Sequence, residues 1–108
     1  MSYQEQIEND VLVVGVVDAE GSYFMWQRGL TEDVGSEDGI YFEFDDQING
    51  GHDILVECTI DRDGIHVVLA NGNLEHFYFP NDFKQLEELK SGLAKIYEGN
   101  NNVVEYCI

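Results

Sequence analysis

Basic residues are few in this sequence. Its 108 residues include 5 lysines and arginines against 22 aspartates and glutamates, a formal net charge of −17. Residues 1–83 hold 18 of these acids and only two of the bases, Arg28 and Arg62. Such a field repels nucleic acid and anionic lipid and attracts basic proteins. The charge therefore favours a basic protein as partner, although solubility alone is another explanation of the same acidity.

Cysteine, proline and long apolar segments are also scarce. The two cysteines, Cys58 and Cys107, are too few for a disulfide framework, and no zinc-ligand spacing surrounds them. The longest apolar run, Val11–Val17, is much too short to cross a bilayer. Residues 1–10 are too polar and acidic for a secretory signal, so we expect a cytoplasmic protein.

Hydrophobic residues, by contrast, are plentiful. They make up 44% of the chain, which is far too many for a disordered acidic tail. A chain of this length can enclose one hydrophobic core but leaves little room for a second. Because neither a linker nor a repeat divides the sequence, we predict a single domain over residues 1–108.

Short apolar segments separated by turn residues fill the chain before Pro80, a pattern typical of β-strands. Val11–Val17 is continuous and β-branched, which predicts a strand buried on both faces. Residues 40–44 alternate instead, with the apolar even positions on one face. An acidic loop is expected between Gly29 and Gly39.

Two glycine-containing pairs predict hairpins. The first, Asp63-Gly64, suits a two-residue turn that pairs Cys58 with Leu69. That register puts the apolar even positions of residues 54–60 on the core face and the odd positions on the outer face.

The second pair, Asn71-Gly72, leads into residues 74–79. A two-residue loop there puts the even positions of that strand in the core. A shift of one residue puts Phe77 and Phe79 there instead, and the pattern leaves both registers open.

The C-terminal part of the chain predicts a helix. Residues 82–98 repeat apolar side chains at helical spacing, and Asp82 with Gln85 resembles a capping box. Gly99 suits a left-handed stop, and residues 103–107 add a last strand after an Asn-rich turn. The predicted fold class is α+β, with a mostly antiparallel sheet of at least four strands and this principal C-terminal helix at about 82–98.

Motifs of catalysis and cofactor binding are missing. The sequence contains no nucleophile elbow, phosphate-binding loop, dinucleotide fingerprint or His-Glu zinc motif. The histidines His52, His66 and His76 lack metal-ligand spacing, and isolated strand histidines are usually ordinary surface or packed residues. We therefore expect no enzyme, no cofactor and no tightly bound metal.

One carboxylate pair is the exception that enzymatic chemistry could use. Glu43 and Glu57 lie opposite the apolar faces of their strands, so both are expected on the outer side of the sheet. With 22 acids such a pair arises easily by chance, and a solvated face is the favoured interpretation. That outer face mixes aromatic, aliphatic and acidic groups, as protein interfaces do. Its expected members are Tyr41, Glu43, Leu55, Glu57, Thr59, His66 and Val68.

Several segments of the chain resemble a family of small bacterial proteins. They are Tyr23-Phe24-Met25-Trp26-Gln27-Arg28, Ile40-Tyr41-Phe42-Glu43-Phe44-Asp45-Asp46-Gln47, Gly50-Gly51-His52-Asp53 with the strand after it, and Asp61-Arg62-Asp63-Gly64. These segments are similar to immunity protein family ten of bacterial polymorphic toxin systems. The resemblance implies a small α+β protein that neutralises a toxin encoded beside it.

An acidic antagonist of this kind needs no active site, because it can inhibit by covering a basic surface. Many effector toxins are nucleases, whose phosphate-binding surfaces are basic. We therefore predict an immunity-type protein that binds a cognate toxin and occludes its functional surface. The predicted partner-binding residues are Glu43, Asp45, Asp46, Gln47, Asp53 and Glu57.

Two other functions stay open at this point. One is a general acidic interaction module, or a decoy for a basic nucleic-acid-binding protein. The other is a small enzyme or ligand-binding domain that uses Glu43 and Glu57. In all three cases the charge argues against nucleic acid or a membrane as the direct partner.

Overall fold

The structure, a computed structural model, describes residues 1–31, 39–99 and 102–107. These residues form nine strands and one helix. In chain order they are β1 Ser2–Glu8, β2 Val11–Val17, β3 Tyr23–Gly29, β4 Tyr41–Phe44, β5 Asp46–His52, β6 Leu55–Ile60, β7 Gly64–Leu69, β8 Leu74–Tyr78, α1 Leu86–Ile96 and β9 Val104–Tyr106. The acidic loop and the Asn-rich turn expected from the sequence lie mostly outside the described residues.

The strands form two sheets. Sheet A is an antiparallel meander of β1, β2, β3, β4 and β5. Sheet B has the order β8-β7-β6-β9 and is antiparallel except for β9, which runs parallel to β6. The chain leaves sheet A at Asp53, whose φ of 55° turns the backbone towards sheet B. The predicted α+β class and mostly antiparallel pairing are confirmed, and so is the last strand.

One hydrophobic core joins both sheets and the helix. At its centre the rings of Phe24 and Trp26 each lie 5.2 Å from the ring of Phe42 in sheet A. Phe77 of sheet B lies 5.6 Å from Phe24 and connects the two sheets. Burying each such side chain contributes roughly 1.5–3 kcal/mol, so this cluster is a main source of stability.

Strand β2 differs from its prediction. Leu12, Val14 and Val16 are buried in the core, but Val11, Val13 and Val17 are only half-buried and lie outside it. The continuous apolar run therefore enters the core on one face. Its other valines belong to the face of sheet A that points away from sheet B and the helix.

The hairpin of β6 and β7 forms with a different turn from the predicted one. Ile60 pairs with Ile65, so the turn begins at Asp61, and Gly64 is already the first residue of β7. Asp61 organises this turn by accepting hydrogen bonds from the backbone N–H groups of Asp63 at 2.8 Å and Gly64 at 3.0 Å. The offset from the predicted register is two residues, so most side chains keep their faces.

A β-bulge changes the start of β6. The register shifts between Leu55 and Glu57, which leaves Leu55 buried at 7% exposure and Val56 exposed at 45%. The predicted placement of Leu55 on the outer face, and of Val56 in the core, is therefore wrong.

The register of β8 is decided by a longer loop. Leu69 donates from its backbone N–H to Asn73 O at 2.9 Å, which closes a three-residue loop containing Gly72 at φ 90°. Phe77 is consequently buried, whereas Leu74 and Tyr78 are exposed.

Helix α1 begins later than predicted, at Leu86, and ends at Ile96. Asp82 does not cap it, and Gln85 stands at the N-cap without a side-chain bond to the helix. The side chain of Gln85 is not available for capping, because its Oε1 accepts the backbone N–H of Tyr3 at 3.1 Å. This hydrogen bond connects the start of the helix to β1. Gly99, at φ 83°, has the predicted left-handed conformation beyond the helix end.

Strand β1 was not expected from its polar sequence, and it explains a glycine inside the helix. The hydroxyl of Tyr3 lies directly over Gly92, where any Cβ would collide with it. Gly92 disfavours a helix by about 1 kcal/mol relative to alanine, but it lets β1 approach. Within the described residues, no helix is long and apolar enough to cross a membrane.

We expect Leu89→Ala or Leu93→Ala to lower the free energy of unfolding by about 2–5 kcal/mol, because both side chains are fully buried where the helix meets the sheets. Chemical denaturation monitored by circular dichroism measures the change. Leu74→Ala is the matched control, since this leucine is exposed and should change stability by less than about 0.5 kcal/mol. Equal effects at all three positions would contradict the placement of the helix in the core.

Candidate functional site

The outer face of sheet A is the surface that points away from the core. Strand alternation and pairing put one set of side chains on it, with aliphatic residues in the middle and glutamines and acids around them. The set is Ser2, Gln4, Gln6, Glu8, Val11, Val13, Gly15, Val17, Tyr23, Met25, Gln27, Tyr41, Glu43 and His52. An apolar centre with a polar rim is the composition of protein-binding surfaces.

A groove crosses this outer face at Gly15. It has a volume of about 400 Å³, and its walls include Gln4, Val13, Tyr23 and Met25. Gly15 pairs with Gln4 on one side and Met25 on the other, so its missing side chain leaves a depression between them. The groove can accept an apolar or long side chain from another molecule.

Glu43 stands beside this groove and is the one buried charged side chain among the described residues, at 9% exposure. Tyr41 donates its hydroxyl proton to Oε1 at 2.7 Å, and Tyr23 donates to Oε2. Tyr41 and Glu43 share a face because they are two residues apart in β4, and Tyr23 comes from the neighbouring strand. In the described part of the chain Glu43 forms no ion pair with a lysine, arginine or histidine.

The two tyrosines respond to the carboxylate. The hydrogen bond to Glu43, with help from partial burial and the charges of Glu43 and Asp46, raises the pKa of Tyr23 to about 12. The hydrogen bond that Tyr41 itself donates to Glu43 raises the pKa of Tyr41 in the same way. Both hydroxyls are protonated near neutral pH, as in any tyrosine, and the raised pKa values keep them donors to Glu43 up to a higher pH.

Three predicted partner-binding residues come together around Tyr23. Besides donating to Glu43, Tyr23 donates its backbone N–H to Asp45 Oδ1 at 3.0 Å. Asp45 adopts φ 61° at the turn between β4 and β5, and Asp46 follows it with an exposed side chain. The result is a compact acidic corner of sheet A, made of Glu43, Asp45 and Asp46.

The other three predicted residues lie elsewhere. Gln47 is exposed on the edge strand β5, and Asp53 lies at the far end of that strand. Asp53 Oδ1 accepts the backbone N–H of Ile40 at 3.0 Å, which is a turn-forming role. Glu57 pairs with Val68 on the outer face of sheet B. Because Glu43 and Glu57 lie on outer faces of different sheets, they do not form the carboxylate pair considered above.

Sequence reasoning missed Tyr23 and Met25 as parts of this site. The signal was present, because Tyr23, Met25 and Gln27 alternate with the buried Phe24 and Trp26. The groove at Gly15 had no such signal, since it depends on the polar strand β1. Among the residues that the structure describes, no group of three or more histidine, cysteine or acidic side chains could hold a metal ion.

Comparison with known proteins adds no relative: no family model, no curated protein and no solved structure matches this chain. The resemblance to immunity protein family ten therefore stays a prediction. The site has to be interpreted from its own geometry and charge.

We expect Tyr23→Phe to destabilise the protein by about 1 kcal/mol at neutral pH, because Glu43 loses a hydroxyl donor. The raised pKa of Tyr23 means that this contribution is complete below about pH 10, the ordinary tyrosine value, and is lost as pH rises through about 12. The difference from the wild type should thus shrink above pH 10. Urea denaturation across this pH range, with Tyr78→Phe as an exposed control, tests it. A difference that stays constant to pH 12 would contradict the assignment.

Proposed function

We propose that this protein is an immunity-type inhibitor that binds a basic protein toxin through the outer face of sheet A. The observation that carries the proposal is Glu43, a buried carboxylate without a cationic partner in the described residues, beside an open groove. Burying a charge without an opposite charge is unfavourable even when hydrogen bonds stabilise it. A cation supplied by a partner would therefore stabilise the Glu43 carboxylate.

The carboxylate of Glu43 is prepared for a basic side chain. A carboxylate has about four acceptor positions, and the tyrosines Tyr23 and Tyr41 occupy one on each oxygen. The positions left over suit the paired N–H groups of an arginine, and tyrosine rings also stack on guanidinium planes. A partner arginine would therefore find charge, hydrogen-bond acceptors and aromatic surface at one place.

The apolar strip next to Glu43 is a second argument for the outer face of sheet A as the binding surface. Val13, Val17 and Met25 are only half-buried, although the run Val11–Val17 has the composition of a strand covered on both sides. A bound protein would supply the missing cover. Desolvated apolar centres of this kind supply much of the affinity of interfaces, while the surrounding polar residues exclude water.

Net charge supplies the third argument. At −17 the protein attracts basic surfaces over long range, and this steering raises the association rate. The acidic corner concentrates three of these charges next to the groove. Inhibition by occlusion requires fast association and slow release, and no chemistry.

A toxin is the partner we propose because of the resemblance to immunity proteins in segments that include β3, β4 and the β6–β7 turn. The same face would also suit a decoy for a basic nucleic-acid-binding protein. The two functions differ in outcome: an immunity protein rescues cells that express the protein encoded beside it, whereas a decoy leaves that toxicity unchanged.

We expect Glu43→Ala to accelerate dissociation from the toxin encoded by the neighbouring gene, because a partner cation would lose its carboxylate. The loss of binding free energy should be about 2–5 kcal/mol. Surface plasmon resonance measures the rates, and survival of cells expressing the toxin measures protection. Glu57→Ala is the matched control on sheet B and should change neither. Equal effects of the two substitutions would overturn the assignment of this face.

We expect the double substitution Asp45→Asn and Asp46→Asn to slow association without changing the fold. Asparagine keeps the acceptor oxygens and tolerates the positive φ of Asp45, so mainly charge is lost. Asp63→Asn with Asp82→Asn removes two exposed charges elsewhere and is the matched control. The association rate is measured from low to high salt, where the difference between the two variants should fade. Identical rates for both variants at low salt would exclude the acidic corner from the encounter.

A further inference from the structure

Sheet B carries a second polar cluster, which the proposed function does not use. His66 of β7 and His76 of β8 are direct cross-strand partners, and both side chains lie on the outer face of that sheet. The Nδ1 atoms of the two rings are 2.7 Å apart, and the ring centroids are 5.0 Å apart. Two imidazole nitrogens thus face each other at a surface open to solvent.

Asp61 sets the orientation of the first ring. Its carboxylate lies 3.1 Å from Nε2 of His66, and it is itself held by the backbone N–H groups of Asp63 and Gly64. In neutral His66 this contact keeps the proton on Nε2 and leaves Nδ1 with a lone pair directed at His76. Histidines that bind metals are typically oriented by such a carboxylate on the other ring nitrogen.

We propose that His66 and His76 chelate one exchangeable divalent transition-metal ion of the kind that prefers imidazole, such as Ni²⁺ or Cu²⁺. Asp61 acts as a positioning residue that does not touch the metal. Water would complete the coordination sphere. The proposal is independent of the toxin-binding face, because its residues all belong to sheet B or to the β6–β7 turn.

The distances agree with chelation after a small movement. Metal–nitrogen bonds of about 2.0–2.1 Å place two imidazole ligands of one ion about 2.9–3.4 Å apart. The observed 2.7 Å is only slightly shorter, and the exposed ring of His76 can turn so that both lone pairs converge on the ion. Tyr78, whose ring is stacked on His76 with centroids 5.9 Å apart, limits that movement.

Two protein ligands make a weak site, which fits both the expectation of no tightly bound metal and the absence of any larger ligand group in the described residues. The negative charge of the protein raises the local concentration of every cation, so carboxylates elsewhere will also bind ions. The choice of metal distinguishes binding at the histidine pair from binding at carboxylates. Imidazole ligands favour Cu²⁺ and Ni²⁺, whereas carboxylates suit Mg²⁺ and Ca²⁺.

The test is calorimetric titration of the full chain with Ni²⁺ in excess Mg²⁺, which occupies the carboxylates. We expect one Ni²⁺ per chain, and we expect His66→Gln or His76→Gln to abolish this saturable binding. Asp61→Asn should weaken it by about tenfold while leaving the stoichiometry unchanged. His52→Gln is the matched control, because His52 lies on sheet A beside Tyr41 and should leave Ni²⁺ binding intact.

Circular dichroism should be used to check that each variant is folded, and His76→Gln is the least disruptive of them because its side chain is exposed. Absence of saturable Ni²⁺ binding to the wild type would overturn the proposal and leave the pair as a hydrogen bond between two imidazoles. Binding that survives both His66→Gln and His76→Gln, or that His52→Gln removes equally, would overturn it as well.

Discussion

The structure depends on the fact that only one face of sheet A is packed against other elements. The helix and sheet B cover that face, and they leave the other face open to solvent. The aromatic rings of Phe24, Trp26 and Phe42 take the covered face and form the centre of the core. Strand alternation then forces the residues between them onto the other face. Tyr23, Met25 and Glu43 lie on the outer face for this reason, whatever their individual preferences.

Several of the acids that dominate the composition also have structural roles in turns. Asp18 accepts the backbone N–H groups of Glu20 and Ser22, and Asp61 does the same within the β6–β7 turn. Asp46 and Asp53 each accept one further backbone N–H. Short aspartate side chains suit this task because they satisfy backbone donors where strand pairing ends. Acidity in this protein therefore combines turn formation with long-range attraction of cations.

The two sheets present different chemistry to solvent. Sheet A offers a buried carboxylate beside an apolar groove, which suits a basic protein surface. Sheet B offers paired imidazoles held by a carboxylate, which suits a small cation. Since Glu43 and His66 belong to separate sheets, changes at one site leave the geometry of the other intact, and the two proposals stand or fall separately.

The sequence by itself determined the elements whose signals are local. Helical spacing identified Leu89 and Leu93 as core residues, and period-two alternation assigned Ile65 and Val67 to the core although the predicted pairing register was offset by two residues. These predictions succeed because they depend on side-chain periodicity, which a two-residue shift does not alter. The sequence also predicted the negative charge of the protein and the position of Glu43 opposite the apolar face of its strand.

Only the tertiary structure decided the features that arise between segments distant in the chain. The bulge that buries Leu55, the loss of the Asp82 cap and the presence of β1 all depend on which neighbours are within reach. Gln85 bonds to Tyr3, which is 82 residues away, so no local pattern could predict its role. The burial of Glu43 has the same origin. The tyrosines that donate to Glu43 come from two strands, and the sequence of neither strand alone predicts that the two hydroxyls meet at this carboxylate.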